Sequence, residues 1–226
     1  MADLKLVVFD VDGTLIDSIA HIETVMDQAF TANDLPKPQP GAVRNLIGVS
    51  LLGLLDKLHP GLSETQLHRL AQTYMDMFSA SSTTLPIQQT APLFPGARAA
   101  LEALRAREDL LLGLATGKSR RGLNRLLDAH TLDMFFVTTH VADDHPSKPH
   151  PAMLLATLTD TGVDAESAIM IGDTSFDLDM ARAAGVKSVG VGWGNHPVET
   201  LQANADAILH DFAKLPDLID ELLVAR

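Results

Sequence analysis

Along most of the chain, short runs of consecutive apolar residues alternate with longer stretches whose apolar positions recur every three to four residues. The first run, Lys5–Phe9 (KLVVF), stops abruptly at Asp10-Val11-Asp12-Gly13, which predicts a buried strand ending in a turn. Four further runs predict strands: Leu110–Ala115, Met134–Thr138, Ala168–Ile171 and Val186–Val191, with a weaker one at Ala207–Leu209. Between them, Ala97, Ala100, Leu101 and Leu104 share one helical face, as do Leu123, Leu126, Leu127 and His130. Strands alternating with helices of this length predict βαβ units and a parallel sheet, an α/β fold.

The alternation fails between Asp17 and Gln89, where no convincing strand occurs. Ile22, Val25, Met26, Ala29 and Phe30 form one helical stripe there, and Leu67, Leu70, Ala71, Tyr74, Met77 and Phe78 another. Ser63 and Gln66 have capping-box spacing at the start of the second. A leucine-rich stretch, Leu46 to Leu58, lies between the two stripes, and Ser79–Pro95 reads as a polar connector. The expected organisation is an α/β core over 1–16 and 90–226, with a helical module over 17–89 inserted just after the first strand.

Composition narrows the function classes. With 46% hydrophobic residues in 226, the chain can bury a sizeable core. A net charge of −12 argues against a broad nucleic-acid surface. No apolar run approaches the roughly 20 residues needed to cross a bilayer, and the N-terminus lacks a signal-peptide layout. The absence of cysteine excludes disulfides, thiolate nucleophiles and Cys-ligated metals, and agrees with a cytoplasmic location. Oligomeric state leaves no mark on the sequence.

In open α/β sheets, ligands bind outside the carboxyl ends of the strands. Asp10 and Asp12 follow the first predicted strand, Thr116, Gly117 and Lys118 the second, and Asp173 and Asp177 the fourth; Ser147-Lys148-Pro149 precedes that fourth strand. Crowded carboxylates repel one another unless a hard cation offsets them, and such oxygen donors suit Mg²⁺. Residues i and i+2 of extended backbone point the same way, so Asp10 and Asp12 can face one substrate. One carboxylate can attack phosphorus while the other protonates the departing oxygen, which combines nucleophilic with general acid–base catalysis.

Taken in order, Asp10-Val11-Asp12-Gly13-Thr14-Leu15, Thr116, Lys148-Pro149 and Gly172-Asp173-Thr174-Ser175-Phe176-Asp177 resemble the four motifs of the haloacid dehalogenase superfamily. The resemblance spans nearly the whole chain and implies a Rossmann-like core, with 17–89 similar to the helical cap of the phosphoglycolate phosphatase-like branch. It implies a Mg²⁺-dependent phosphatase acting on a small phosphorylated metabolite, with no nucleic-acid or membrane partner. Asp10 would be nucleophile and metal ligand. Asp12 would be acid/base and metal ligand through its backbone carbonyl. Thr116 would bond the transferring phosphoryl group and Lys148 would orient Asp10. Asp173 would hold the metal, with Asp177 beside it. The second carboxylate also separates the chain from true haloacid dehalogenases, whose pattern lacks it. A phosphosugar mutase or a pyrophosphatase of the same superfamily are the competing activities, and a phospho-ligand-binding module the non-enzymatic one.

Two departures from the family pattern stand out. Gly117 occupies a position where the family often has Asn, and the basic residues Lys118, Arg120 and Arg121 follow it, which suits a larger anionic substrate. Arg44 and the loop Ile47–Ser50 fall where this branch selects its substrate. Each residue also has a plainer reading: Asp10 and Asp12 as turn residues, Thr116, Asp173 and Asp177 as helix caps, and Lys148, Arg120 and Arg121 as solvated surface. Gly113–Ser119 mimics a P-loop but has three residues between its glycines where four are required. Gly190–Gly194 lacks dinucleotide spacing and reads as a loop that another backbone approaches closely. The nine histidines show no metal-ligand spacing, and His145 and His150 read as surface residues.

Overall fold

The computed structural model describes residues 4–223, leaving aside the side chains of 82–84. After β1 (Lys5–Phe9), the chain forms α1 (Ile19–Ala32), α2 (Leu51–Leu58), α3 (Glu64–Thr84), a single turn α4 (Ile87–Thr90) and α5 (Ala97–Arg105). Then β2 (Leu110–Thr116), α6 (Arg120–His130), β3 (Thr138–Val141), α7 (Ala152–Thr161), β4 (Ala168–Gly172) and α8 (Ser175–Ala184) follow. The last elements are β5 (Lys187–Val191), α9 (Val198–Gln202), β6 (Ala207–Leu209) and α10 (Leu215–Leu222).

The six strands form one sheet in the order β3-β2-β1-β4-β5-β6, every pair parallel. Such a sheet needs helices on both faces, which is why its strands read as unbroken apolar runs. In β1, Val7 and Phe9 pack toward α5, α6 and α10, while Leu6 and Val8 pack toward α7 and α8. The order reverses between β1 and β4, whose carboxyl ends therefore open the crevice where ligands bind in doubly wound folds. Asp10 and Asp173 stand just past those two ends.

A separate apolar cluster ties α1, α2 and α3 together through Met26, Phe30, Leu55 and Leu70, each fully buried. The expected capping box starts α3: Ser63 Oγ accepts from Gln66 N, and Gln66 Oε1 accepts from Ser63 N. Among the described residues, no helix is long and apolar enough to cross a membrane.

Two expectations are corrected. The apolar run Met134–Thr138 is mostly not a strand: Asp133–Phe135 makes a 3-10 turn, and β3 begins at Thr138. Met134 and Val137 project outward, 79% and 61% exposed, so their apolar character carries no burial signal. The supposed connector after Ser79 is largely helical. Here α3 runs on to Thr84 and α4 adds a turn, because Ser and Thr tolerate a helix whose neighbours hold it in place. His145 is half-buried, its Nε2 2.9 Å from His140 Nδ1.

Candidate active site

The turn after β1 is built by its own backbone. Leu15 and Ile16 donate to the Val11 carbonyl, and Gly13 donates to that of Ile16. Gly13 adopts φ +87°, and a Cβ there would lie 2.1 Å from Asp173 Oδ2, so only glycine lets this turn close against β4. Asp10 leaves the turn buried, with 1% of its surface exposed.

Around it, the structure gathers residues distant in sequence. Lys148 Nζ lies 2.8 Å from Asp10 Oδ1, an ion-pair contact off the hydrogen-bonding direction, and donates to Asp177 Oδ1 at 2.6 Å. Asp10 Oδ2 has no hydrogen-bond partner among the described residues. Asp10, Asp173 and Asp177 each offer a carboxylate oxygen within 4.8 Å of the others. Burial pushes the Asp10 carboxyl up to about 7, opposed by the charge of Lys148 and assisted by Asp177 and Asp12. Asp173 is raised well above the ordinary range, first by burial and then by Asp10 and Asp177. Lys148 is the converse: burial works against its charge, yet Asp10 and Asp177 outweigh that and raise its pKa.

Asp173 and Asp177 are held by separate sets of donors. Thr14 Oγ1 donates to Asp173 Oδ1 at 3.0 Å, and Asn195 gives Oδ2 two bonds of 2.8 Å, from N and Nδ2. Asp177 Oδ2 accepts from Thr174 N and Oγ1 at 3.1 and 2.7 Å, a capping box that starts α8. The helix-cap reading of Asp177 is therefore correct and does not compete with its contact to Lys148, which uses the other oxygen.

Asp12 belongs to a different group. Lys118 Nζ donates to both of its carboxylate oxygens, at 2.9 and 2.8 Å, and Ser18 Oγ donates to Oδ1 at 2.6 Å. Its carboxylate lies outside the group that Asp10, Asp173 and Asp177 form. Lys118, expected to face substrate, is committed to Asp12 and lies over the Phe78 ring. Thr116 is buried and does not cap a helix; Ser119 caps α6.

Asp10, Asp12, Thr116, Gly117 and Lys118 line a cavity of about 810 Å³, whose other walls come from α1, α2, α3 and α6. Gly117 has a steric reason. A Cβ there would meet the carbonyl oxygens of Gly48 and Val49 at 2.5 and 2.7 Å, so the loop 47–50 can approach only a glycine. Ser50 N donates to Ser147 Oγ at 2.7 Å, joining that loop to the segment that carries Lys148. Arg44 does not reach this cavity; it lines a separate pocket of about 150 Å³ with Gly13, Asp17, Trp193 and Asn195.

Sequence reasoning missed Ser18 and Asn195 and gave Thr14 no contact. Only the glycine spacing at 190–194 hinted at the third element: Gly194 lets this loop pass so close that a Cβ would lie 2.1 Å from that of Asp173.

The arrangement has clear relatives. Residues 7–191 match the model of the haloacid dehalogenase-like hydrolase family. The chain is 32% identical to "Probable phosphatase IndB" of Dickeya dadantii, over 91% of this chain and 89% of that protein. It is also 32% identical to the phosphoglycolate phosphatase of Rhodospirillum rubrum, over 94% of this chain and 90% of that one. The crystal structure of a hydrolase from Pseudomonas syringae superposes with a TM-score of 0.84 at 26% identity, covering 98% of this chain and all of that one. With a fold, a strand-end carboxylate cluster and a family model that agree over most of its length, the chain belongs to the haloacid dehalogenase-like hydrolases.

Proposed function

We propose that this hydrolase is a Mg²⁺-dependent phosphatase that cleaves a small phosphomonoester through a phosphoaspartyl intermediate on Asp10. The observation that carries the reading is Asp10 itself. It is a buried carboxylate on the cavity floor with one oxygen unpartnered among the described residues, backed by Lys148 and two further carboxylates. A group so placed is costly unless a ligand completes it. Relatives that bear the names phosphatase and phosphoglycolate phosphatase support the choice of ester.

The donor set fits a hard divalent cation: it is all oxygen, acidic and buried, with an orphaned atom aimed into the site. Asp10 and Asp173 would hold Mg²⁺, with the Asp12 backbone carbonyl and Asp177 close by. When bound, the ion supplies positive charge to the phosphoryl oxygens.

An Asp10 oxygen attacks phosphorus as the ester P–O bond breaks, and Asp12, which enters this step in its protonated form, gives that proton to the departing alcohol oxygen. Asp12, now ionised, takes a proton from water, whose oxygen attacks the acyl phosphate. The bond from phosphorus to Asp10 breaks, and inorganic phosphate leaves. Thr116 donates its hydroxyl to the phosphoryl group, and Lys148 keeps Asp10 oriented and balances its charge. We assign the helices over 17–89 the role of a cap that excludes water and selects the alcohol, on a core of 1–16 and 90–226. The same reading assigns the enzyme to the cytoplasm.

Asp10→Asn keeps the shape and removes the nucleophile. Phosphate release from a panel of phosphorylated metabolites with Mg²⁺ is expected to fall at least roughly a thousandfold. Full activity in the purified variant would remove Asp10 from the mechanism.

A further inference from the structure

The cavity above Asp10 is of a size that holds a drug-sized ligand rather than a two-carbon ester. Its walls are largely apolar, with Met26, Leu54, Met75 and Phe78 among them; Asp76 and Asp143 also line it, and besides Lys118, which Asp12 holds, it has the two guanidiniums of Arg121 and Arg125 on α6. Arg121 stands at the rim and Arg125 is half-buried.

These two arginines differ from four others among the described residues. Arg98, Arg107, Arg120 and Arg182 each pair with a carboxylate. Arg120 in particular turns away to Thr139 and Asp144, although it is adjacent in sequence to Arg121. Arg121 Nη2 and Arg125 Nη1 instead converge on one neutral hydroxyl, Ser79 Oγ, at 3.1 and 3.0 Å. Neither has a carboxylate within salt-bridge distance among the described residues. Two guanidiniums one helical turn apart, sharing a single acceptor on a cavity wall, form a positive spot within a chain of net charge −12. Their unused donors suit the planar oxygens of a carboxylate or phosphate.

The geometry points to a second anion subsite: the substrate is a phosphomonoester whose partly apolar body ends in a further carboxylate or phosphate, bound by Arg121 and Arg125. This inference rests on the phosphatase reading for the other end of the cavity. A cavity of about 810 Å³ leaves room for a body of several carbons between the two anions.

Three compounds with one six-carbon chain test it: hexyl phosphate, 6-(phosphonooxy)hexanoate and 1,6-hexanediol bisphosphate. Isothermal titration in the presence of Mg²⁺ reads the subsite, while phosphate release separately reads the function beneath it. At least one compound with a distal anion is expected to bind about tenfold or more tightly than hexyl phosphate, as charge-assisted bonds require, and the tighter of the two identifies the anion. The double variant R121Q/R125Q is expected to lose that preference, and Arg120→Gln to keep it. Equal binding of all three compounds, or a preference that survives in R121Q/R125Q, overturns the proposal. Ser79→Ala separates ligand binding from a structural tie between α3 and α6. It should retain the preference, and its loss there would show that the arginines only brace the two helices. Absence of phosphate release from every compound would count against the phosphatase reading, while the titration would still decide the subsite.

Discussion

Two lysines in this site each neutralise an aspartate of the same turn, in opposite settings. Lys148 is sealed, its side chain 0% exposed between Asp10 and Asp177, both buried as deeply. Lys118 and Asp12 meet at the cavity wall, their side chains 11% and 12% exposed, with Ser18 as a third partner. A sealed pair depends wholly on its partners because water cannot replace either one. A pair that lines an open cavity is screened and can exchange partners with a ligand. The fold thus divides the turn after β1 into a rigid half that holds Asp10 and a half that can respond to substrate.

The comparison breaks most visibly at Lys148. Lys148→Met leaves two acidic groups facing each other without a cation, and removing one partner of a buried pair costs about 3–5 kcal/mol. A fall of that size in the urea-unfolding free energy is expected, together with loss of phosphate release. A change below about 1 kcal/mol would show that Lys148 is no more critical to the fold than a surface lysine.

The sealed half also sets a pH dependence. Burial lifts Asp10 from 3.8 to about 7 and raises Asp173 in the same direction. In the metal-free protein the folded state therefore holds protons that the unfolded chain has released. Stability from these groups is full below about pH 3.8, declines as pH rises, and for Asp10 is exhausted above about 7. A divalent cation that fits the ionised triad reverses the loss. The melting-temperature gain on adding Mg²⁺ over EDTA should be larger at pH 8 than at pH 5. An equal gain at both values would disconnect the ion from these carboxylates.

How far the sequence foretold this division depends on how local each contact is. β1 and the residues past its end were legible because an apolar run cut off by Asp-x-Asp-Gly is a one-dimensional signal. The placing of Asp10, Lys148, Asp173 and Asp177 in one cluster was legible through motif order alone, and the structure brings these four together. What pairs with Asp12 was not. Lys118 is 106 positions away, and its neighbours Arg120 and Arg121 looked equivalent to it until α6 turned each in a different direction. Asn195 was hidden because a loop carries it to Asp173 without any periodic pattern. β3 was misplaced because the run mixes exposed Met134 and Val137 with core-facing Phe135, the pattern of a 3-10 turn that the apolar letters alone do not distinguish from a strand.

A smaller effect tests how firmly the rigid half is braced. Thr14→Val removes one of the donors to Asp173 while Asn195 keeps its two bonds. The expected loss is about 1 kcal/mol of stability, with weaker Mg²⁺ retention measured by titration. A neutral result would mean that Asn195 alone orients Asp173.

The smallest stability effect belongs to Lys118, and there the comparison is sharpest. Lys118→Met should cost less than about 1 kcal/mol of folding stability, because Asp12 keeps Ser18 and faces an open cavity. Its catalytic effect should nevertheless be visible. If Lys118 serves Asp12, by holding the carboxylate toward the departing oxygen, its removal lowers kcat about tenfold and leaves KM nearly unchanged, since the lost interaction acts in the transition state. If Lys118 instead releases Asp12 and binds the substrate in the ground state, KM rises while kcat holds. The bidentate contact, 2.9 and 2.8 Å to the two oxygens of Asp12, favours the first outcome. A pure KM effect would place Lys118 with the substrate-binding side chains and leave Ser18 as the one observed partner that orients Asp12.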